Sequence, residues 1–175
     1  PDTDHIGGLG YIISHYKVEK YFAPNIPKNL IPKGEEYTAV QTALRQTGTS
    51  VQNPPCGESL QLGDLKIKVL APVNTGDSTN NNSIVLKLTF GKSRFLLMGD
   101  AEKEEESDLL KSGENLSADV LKIGHHGSST STSEPFLHAV QPGFAAISVA
   151  RDSSELPKKD VLKRLWTAKI PVYRT

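Results

Sequence analysis

The sequence predicts an α/β layered fold, and three observations predict it. Four β-rich segments lie between residues 59 and 98, joined in two pairs by Gly63-Asp64 and Gly91-Lys92, dipeptides that suit tight turns with positive φ. From Asp100 onward, helical and strand patterns alternate at residues 101–112, 118–123, 134–140, 144–149, 157–168 and 171–173. A chain of 175 residues, 37% hydrophobic and 23% charged, is long enough to bury one real core and thin for two.

Taken in order, residues 7–16 form a short helix candidate and 18–22 a strand. Residues 35–46 make a helix with Tyr37, Val40, Ala43 and Leu44 on one side. The strands at 59–62, 65–71, 83–90 and 94–98 follow, with a polar loop lacking periodicity at 75–82. The expectation is a single domain over 1–175. It opens in the middle of a motif and ends on a strand pattern at 170–173 followed only by Arg174-Thr175, so it reads as a fragment cut at both ends. No basic leader followed by an apolar stretch opens it, and no apolar run approaches the roughly 18 residues needed to cross a bilayer. The single Cys56 excludes an internal disulfide framework.

Lys+Arg and Asp+Glu number 20 each, so the whole chain has no general attraction for nucleic acid or anionic lipid. The distribution is uneven. Residues 151–175 carry seven basic groups (Arg151, Lys158, Lys159, Lys163, Arg164, Lys169, Arg174) against three acids, whereas 101–119 carry seven acids against two lysines. A polyanion would favour the C-terminal end; two solvated helix faces of opposite sign account for the same pattern.

Three clusters have the composition of a site. Asp2, Asp4 and His5 stand as D-x-D-H, and in an extended or turning segment Asp2 and Asp4 point one way, converging on an ion, with His5 beside a second position. The competing reading is a helix cap in which Asp4 accepts backbone N–H bonds. Asp100 follows the apolar strand at 95–98 and precedes Glu102, Glu104 and Glu105, acids suited to the positive end of a helix dipole. It is either that helix's N-cap or a strand-end carboxylate placed to bridge cations. The third cluster, LKIGHHGSS at 121–129, puts His125 and His126 between glycines at a strand terminus, poor material for a core and good material for a metal site. Lys122 alternates away from Leu121 and Ile123, so it either snorkels to an edge or aims its ammonium at a phosphate. Ser128 to Ser133 supply hydroxyls, with Ser133 expected as the N-cap of the following helix and Pro135 in its first turn.

With these clusters in this order, the chain resembles the metallo-β-lactamase superfamily, and within it the hydrolase-like domain of the ComEC/Rec2 family of DNA-uptake proteins. PDTDHIGGL, NNNSIVLKLTFGKSRFLLMGDAE and ADVLKIGHHGSSTSTSEPFLHAVQPGFAAISV carry the resemblance, from residue 1 to about 150. It implies an αββα sandwich, here an N-terminally truncated fragment. Asp2, Asp4 and His5 match the last three ligand positions of the family's His-x-Asp-x-Asp-His motif, and the leading His would fall before Pro1. The resemblance implies metal ligation by Asp2, Asp4, His5, Asp100 and His125, catalytic roles for Asp4 and Lys122, and substrate contacts from Lys122, His126 and Ser128. The oxygen-rich ligand set favours a divalent manganese or magnesium ion, with zinc as the alternative. The implied activity is a metal-dependent nuclease or phosphodiesterase acting on DNA, single-stranded or duplex, during competence-related uptake. Its setting would be an extracytoplasmic domain in the cell envelope, fused to a membrane channel. Three departures leave rivals open: the leading His is not present in this sequence, residues 79–83 hold no second-motif His, and Leu156 stands where the last-motif His is expected. The rivals are a metal-poor, non-catalytic DNA-binding module and a small-molecule hydrolase such as a lactonase or phosphoesterase.

Overall fold

The computed structural model describes residues 1–175. Its contacts define two compact units, Pro1–Pro54 and Pro55–Thr175, described here in turn.

The first unit contains α1 (Thr3–Ile6), α2 (Leu9–His15), β1 (Lys20–Phe22), α3 (Glu35–Thr47) and β2 (Ser50–Gln52). The helix expected over 7–16 is split, because helical turns begin at Thr3 and Gly7-Gly8 interrupts them. Gly10 of α2 lies so near α3 that a Cβ there would stand 3.3 Å from Ala39. Ile6, Ile13, Val40, Ala43 and Leu44 form the core, which uses the apolar side expected of α3. Gly48, at φ 67°, ends α3, and the chain enters β2, parallel to β1. The sequence carries no signal for β2: it is three residues long, and its central Val51 is exposed.

The second unit contains β3 (Ser59–Leu62), β4 (Leu65–Ala71), β5 (Val85–Phe90), β6 (Ser93–Leu97), α4 (Lys103–Lys111), β7 (Val120–Lys122), α5 (Glu134–Val140), β8 (Phe144–Ile147), α6 (Lys159–Thr167) and β9 (Val172–Arg174). Every element expected between 59 and 173 forms. β3 to β9 make one seven-stranded sheet in chain order, antiparallel as far as β6 and parallel from β6 to β9. Both expected hairpins close, with Gly63 at φ 57° and Gly91 at φ 58°. Leu96, Leu121 and Ile147 from one face of the sheet pack with Leu109, Phe136, Val140, Val161 and Leu165 from the helices. Fully burying each large side chain of this set contributes roughly 1.5–3 kcal/mol. The register places Leu62, Phe90, Phe144 and Tyr173 together on the opposite face, where each is exposed; the Phe144 and Tyr173 rings lie 5.9 Å apart.

The acids of α4 do more than complement a helix dipole, because Glu105 and Glu106 are turned inward and buried. Glu105 Oε1 accepts the Val73 backbone N–H at 3.0 Å. Burial pushes its carboxyl up from the ordinary 4.5 to about 7, with the Val73 bond pulling it down and Asp108 adding to the rise. Between those two values the folded chain holds a proton that the unfolded chain has released. The resulting stabilisation is present below the unfolded value and is lost as pH rises through the folded one. Urea denaturation at about pH 5 and about pH 8 should therefore show stability falling with pH, by a Glu105 contribution on the order of 3 kcal/mol. Glu105→Gln should flatten that part of the profile, and an unchanged profile would remove Glu105 as its cause.

Candidate metal centre

Parallel pairing of β6, β7 and β8 brings their carboxyl ends to one edge of the sheet, the edge where α/β layers present reactive groups. Beyond β6 the chain turns at Gly99, φ 55°, where a Cβ would come within 3.1 Å of Ser83 Cβ and Oγ. That close approach lets Ser83 Oγ accept the Asp100 N–H at 3.0 Å. The Asp100 side chain is thereby held in a buried position. Asp100 does not cap a helix: α4 begins at Lys103, and Glu102 occupies its N-cap position.

After β7 the chain makes a tight turn over Gly124–Gly127 in which both histidines adopt the left-handed conformation, His125 at φ 46° and His126 at φ 52°. Two successive non-glycine residues in this region are strained and persist only where the surroundings fix them. The fixing contacts are explicit. A Cβ on Gly124 would meet Ala101 O at 2.8 Å, and one on Gly127, at φ 84°, would meet Pro157 Cβ at 2.5 Å. The His125 N–H donates to Gly99 O at 3.1 Å and the Lys158 N–H to Gly127 O at 2.9 Å.

This backbone sends the two imidazoles to different partners. His126 Nδ1 lies 2.7 Å from Ser148 O. A carbonyl only accepts, so Nδ1 carries the proton. The other nitrogen, Nε2, faces Asp100 Oδ1 at 3.4 Å. A lone pair and a carboxylate oxygen at that separation repel unless the ring takes a second proton or a cation stands beside both. The group built here therefore suits a positive ion. His125 turns instead to Glu102, its Nδ1 3.2 Å from Oε1, and Thr130 Oγ1 donates to the same oxygen at 2.6 Å. It is the His126 ring that reaches Asp100, while His125, the histidine expected among the ligands, turns to Glu102.

Lys122 is half-buried at the end of β7, and Nζ donates to Ile123 O at 2.9 Å, so its ammonium turns toward the carboxyl end of its own strand. The Ser128 hydroxyl meets Thr130 Oγ1 at 3.0 Å. Ser133 stands at the α5 N-cap position as expected, with Pro135 in the first turn but no side-chain cap bond; Glu106 takes its N–H instead. The loop at 75–82, featureless in sequence, is organised by buried asparagines. Asn82 bonds Gly76 N and O and Ser78 O, while Asn81 Oδ1 accepts the Glu102 N–H at 3.1 Å and Nδ2 donates to Glu104 at 3.2 Å. The three-asparagine run before β5 was the available signal. Leu156 is half-buried in the segment that places Pro157 against Gly127.

In the first unit, Asp2 occupies the N-cap position of α1 without a side-chain cap bond, and Asp4 and His5 lie within its single turn, both exposed. Of the extended or turning segment expected here, the chain forms a helical turn, and Asp4 is inside it rather than capping it.

A sequence model described as the metallo-beta-lactamase superfamily matches residues 1–151, a span that includes all three clusters. The chain belongs to that superfamily. Within it, the chain is 37% identical over 176 residues to ComE operon protein 3 of Bacillus subtilis (strain 168), a match that takes in 99% of this chain and 22% of that protein. Recombination protein 2 of Haemophilus influenzae is 34% identical over 176 residues, with 99% of this chain and 20% of that protein covered. The chain thus spans about a fifth of the length of these relatives. The metallo-beta-lactamase fold protein YhfI from Bacillus subtilis matches with a TM-score of 0.56 at 12% identity, over 99% of this chain and 70% of that one, a likeness of fold alone. The metallo-β-lactamase fold implied by the motifs is therefore the fold of this superfamily member. No helix is long and apolar enough to cross a membrane.

Proposed function

We propose that this superfamily domain is a metal-dependent hydrolase that cleaves phosphodiester bonds of DNA. The observation that carries the reading is the Asp100–His126 pair, in which Ser148 O fixes the imidazole tautomer so that two lone-pair atoms face each other at 3.4 Å. Asp100 and His126 would hold a divalent ion, and the resemblance to the family's first motif adds Asp2, Asp4 and His5 to the proposed ligand set. Carboxylate oxygens dominate this set, which favours manganese or magnesium over zinc. When bound, such an ion supplies a Lewis acid for a phosphoryl oxygen and activates water. Among this chain's own groups, Ser148 O and the turn at 124–127 orient His126, Lys122 supplies a cation for phosphate charge, and Ser128 offers a hydroxyl to the substrate. The name Recombination protein 2 supports a role in handling DNA; the family resemblance supports competence-related uptake, with the chain as an extracytoplasmic domain of a longer envelope protein that contains a membrane channel.

The test is hydrolysis of single-stranded and duplex oligodeoxynucleotides, a simple aryl phosphodiester and a lactone, each with manganese, magnesium, zinc or chelator. Metal-dependent cleavage of the DNA substrates supports the reading, whereas lactone cleavage alone overturns it. Leu156 in place of a ligand favours the second reading, a DNA-binding module without turnover; metal and DNA binding with no cleavage of any substrate would establish it. Lys122 gives a sharper check. Lys122→Ala should lower turnover on the order of a hundredfold with little change in melting temperature, and Lys122→Arg should restore part of it. A large stability loss with normal turnover would assign Lys122 to the fold instead.

A further inference from the structure

The exposed face of α6 carries a feature that the metal centre does not use. Lys159, Lys163 and Trp166 follow one another at helical spacing and are all exposed, while Val161 and Leu165 face the core. Trp166 is the chain's only tryptophan and is 84% exposed, an unusual position for the largest apolar side chain. It borders a groove of about 790 Å³ shared with Leu162, Lys169, Ile170 and Pro171. The nearby acids are engaged elsewhere: Asp160 pairs with Arg164 at 3.1 Å, and Glu155 reaches Lys158 at 4.0 Å. Lys159, Lys163 and Lys169 form no ion pair.

Lys169 adds a second observation. The Lys169 N–H donates to Trp166 O at 2.9 Å and the Ile170 N–H to Leu165 O at 3.0 Å, the paired bonds that end a helix through a left-handed residue. Glycine is the easy choice at that position, yet Lys169 occupies it at φ 57°. The chain thus keeps a cation beside the groove in a conformation that works against it.

An aromatic plane flanked by unpaired cations has the chemistry of a single-stranded nucleic acid platform: the ring stacks on an unpaired base and the lysines meet adjacent phosphates. A lipid surface fits less well, since an interfacial helix needs a broad apolar face and α6 turns its aliphatic residues to the core. We infer that the α6 face, with Trp166 as stacking residue and Lys159, Lys163 and Lys169 as phosphate contacts, binds single-stranded DNA. The choice of polyanion rests on the phosphodiester reading above.

The test uses the 175-residue chain with chelator present, so that binding is measured apart from cleavage. Adding an oligothymidylate should quench the fluorescence of Trp166, the one indole. With a labelled oligonucleotide, Trp166→Ala should weaken binding about tenfold while Trp166→Phe retains most of it, and Lys163→Glu should also flatten the salt dependence. Lys169→Gly separates binding from folding: it should raise the melting temperature and weaken the complex together. Asp100→Asn should leave this binding unchanged, so loss of cleavage and loss of the platform are distinguishable. Absence of quenching, equal affinity for duplex, preference for phosphatidylglycerol vesicles, or normal binding by Trp166→Ala would each overturn the inference.

Discussion

Asp100→Asn is expected to abolish divalent-metal binding and to lower hydrolysis on the order of a thousandfold or more, while leaving the fold intact. The fold survives because the bond that seats residue 100 runs from its backbone N–H to Ser83 Oγ and is independent of the side chain. The function fails because the substituted amide removes the negative charge and can offer an N–H to His126 Nε2, satisfying the lone pair that now faces Oδ1 at 3.4 Å. Removing an orienting group behind a metal ligand usually lowers affinity 10–100-fold, and losing a buried ligand itself should exceed that range. Calorimetric titration with manganese and zinc, paired with a thermal melt, measures both halves. Undiminished metal binding would strip Asp100 of its ligand role.

The second large effect is on stability. Glu106, 1% exposed, accepts the backbone N–H groups of both Thr132 and Ser133, joining α4 to the loop that leads from the histidine turn into α5. Burial pushes its carboxyl above the ordinary value, while the bonds to Ser133 and Thr132 and the nearby Arg164 guanidinium pull the other way. Glu106→Ala leaves the buried Thr132 donor and the half-buried Ser133 donor orphaned and should lower the unfolding free energy by about 3 kcal/mol. Glu106→Gln keeps one acceptor and should lose less. Chemical denaturation of both variants provides the comparison; equal, small losses would mean that desolvation of the charge offsets the bonds it makes.

The two kinds of information in the chain were unequally legible. The alternation of helices and strands after Asp100 and the two glycine hairpins could be read directly, because each depends on local spacing or on a φ that few residues adopt. The partners of α4 could not. Glu102, Glu105 and Glu106 look alike in sequence, three acids at the start of one helix, yet one meets His125 and Thr130, one Val73 and one Thr132 and Ser133. Those partners lie 23 to 32 residues away, and local patterning carries no record of them. The same holds for the adjacent histidines. Spacing assigned both to a site, but which ring turns to Asp100 is decided by consecutive left-handed residues and by Ser148 O, features of the packed edge. Asn81 and Asn82 passed as loop residues for a related reason: their amides act within the loop and on the start of α4, where no periodicity exists to mark them.

The parallel run from β6 to β8 has a further consequence for how such a domain changes over generations. Asp100, the histidine turn and the segment through Leu156 each leave a different strand at the same edge, and backbone bonds tie the three together, from the His125 N–H to Gly99 O and from the Lys158 N–H to Gly127 O. Variation in one loop is thereby felt by the other two. Leu156 stands beside Pro157, so an exchange there is tolerated only where Pro157 keeps its packing against Gly127. A domain organised this way changes its edge by concerted substitutions in several loops while its core stays the same.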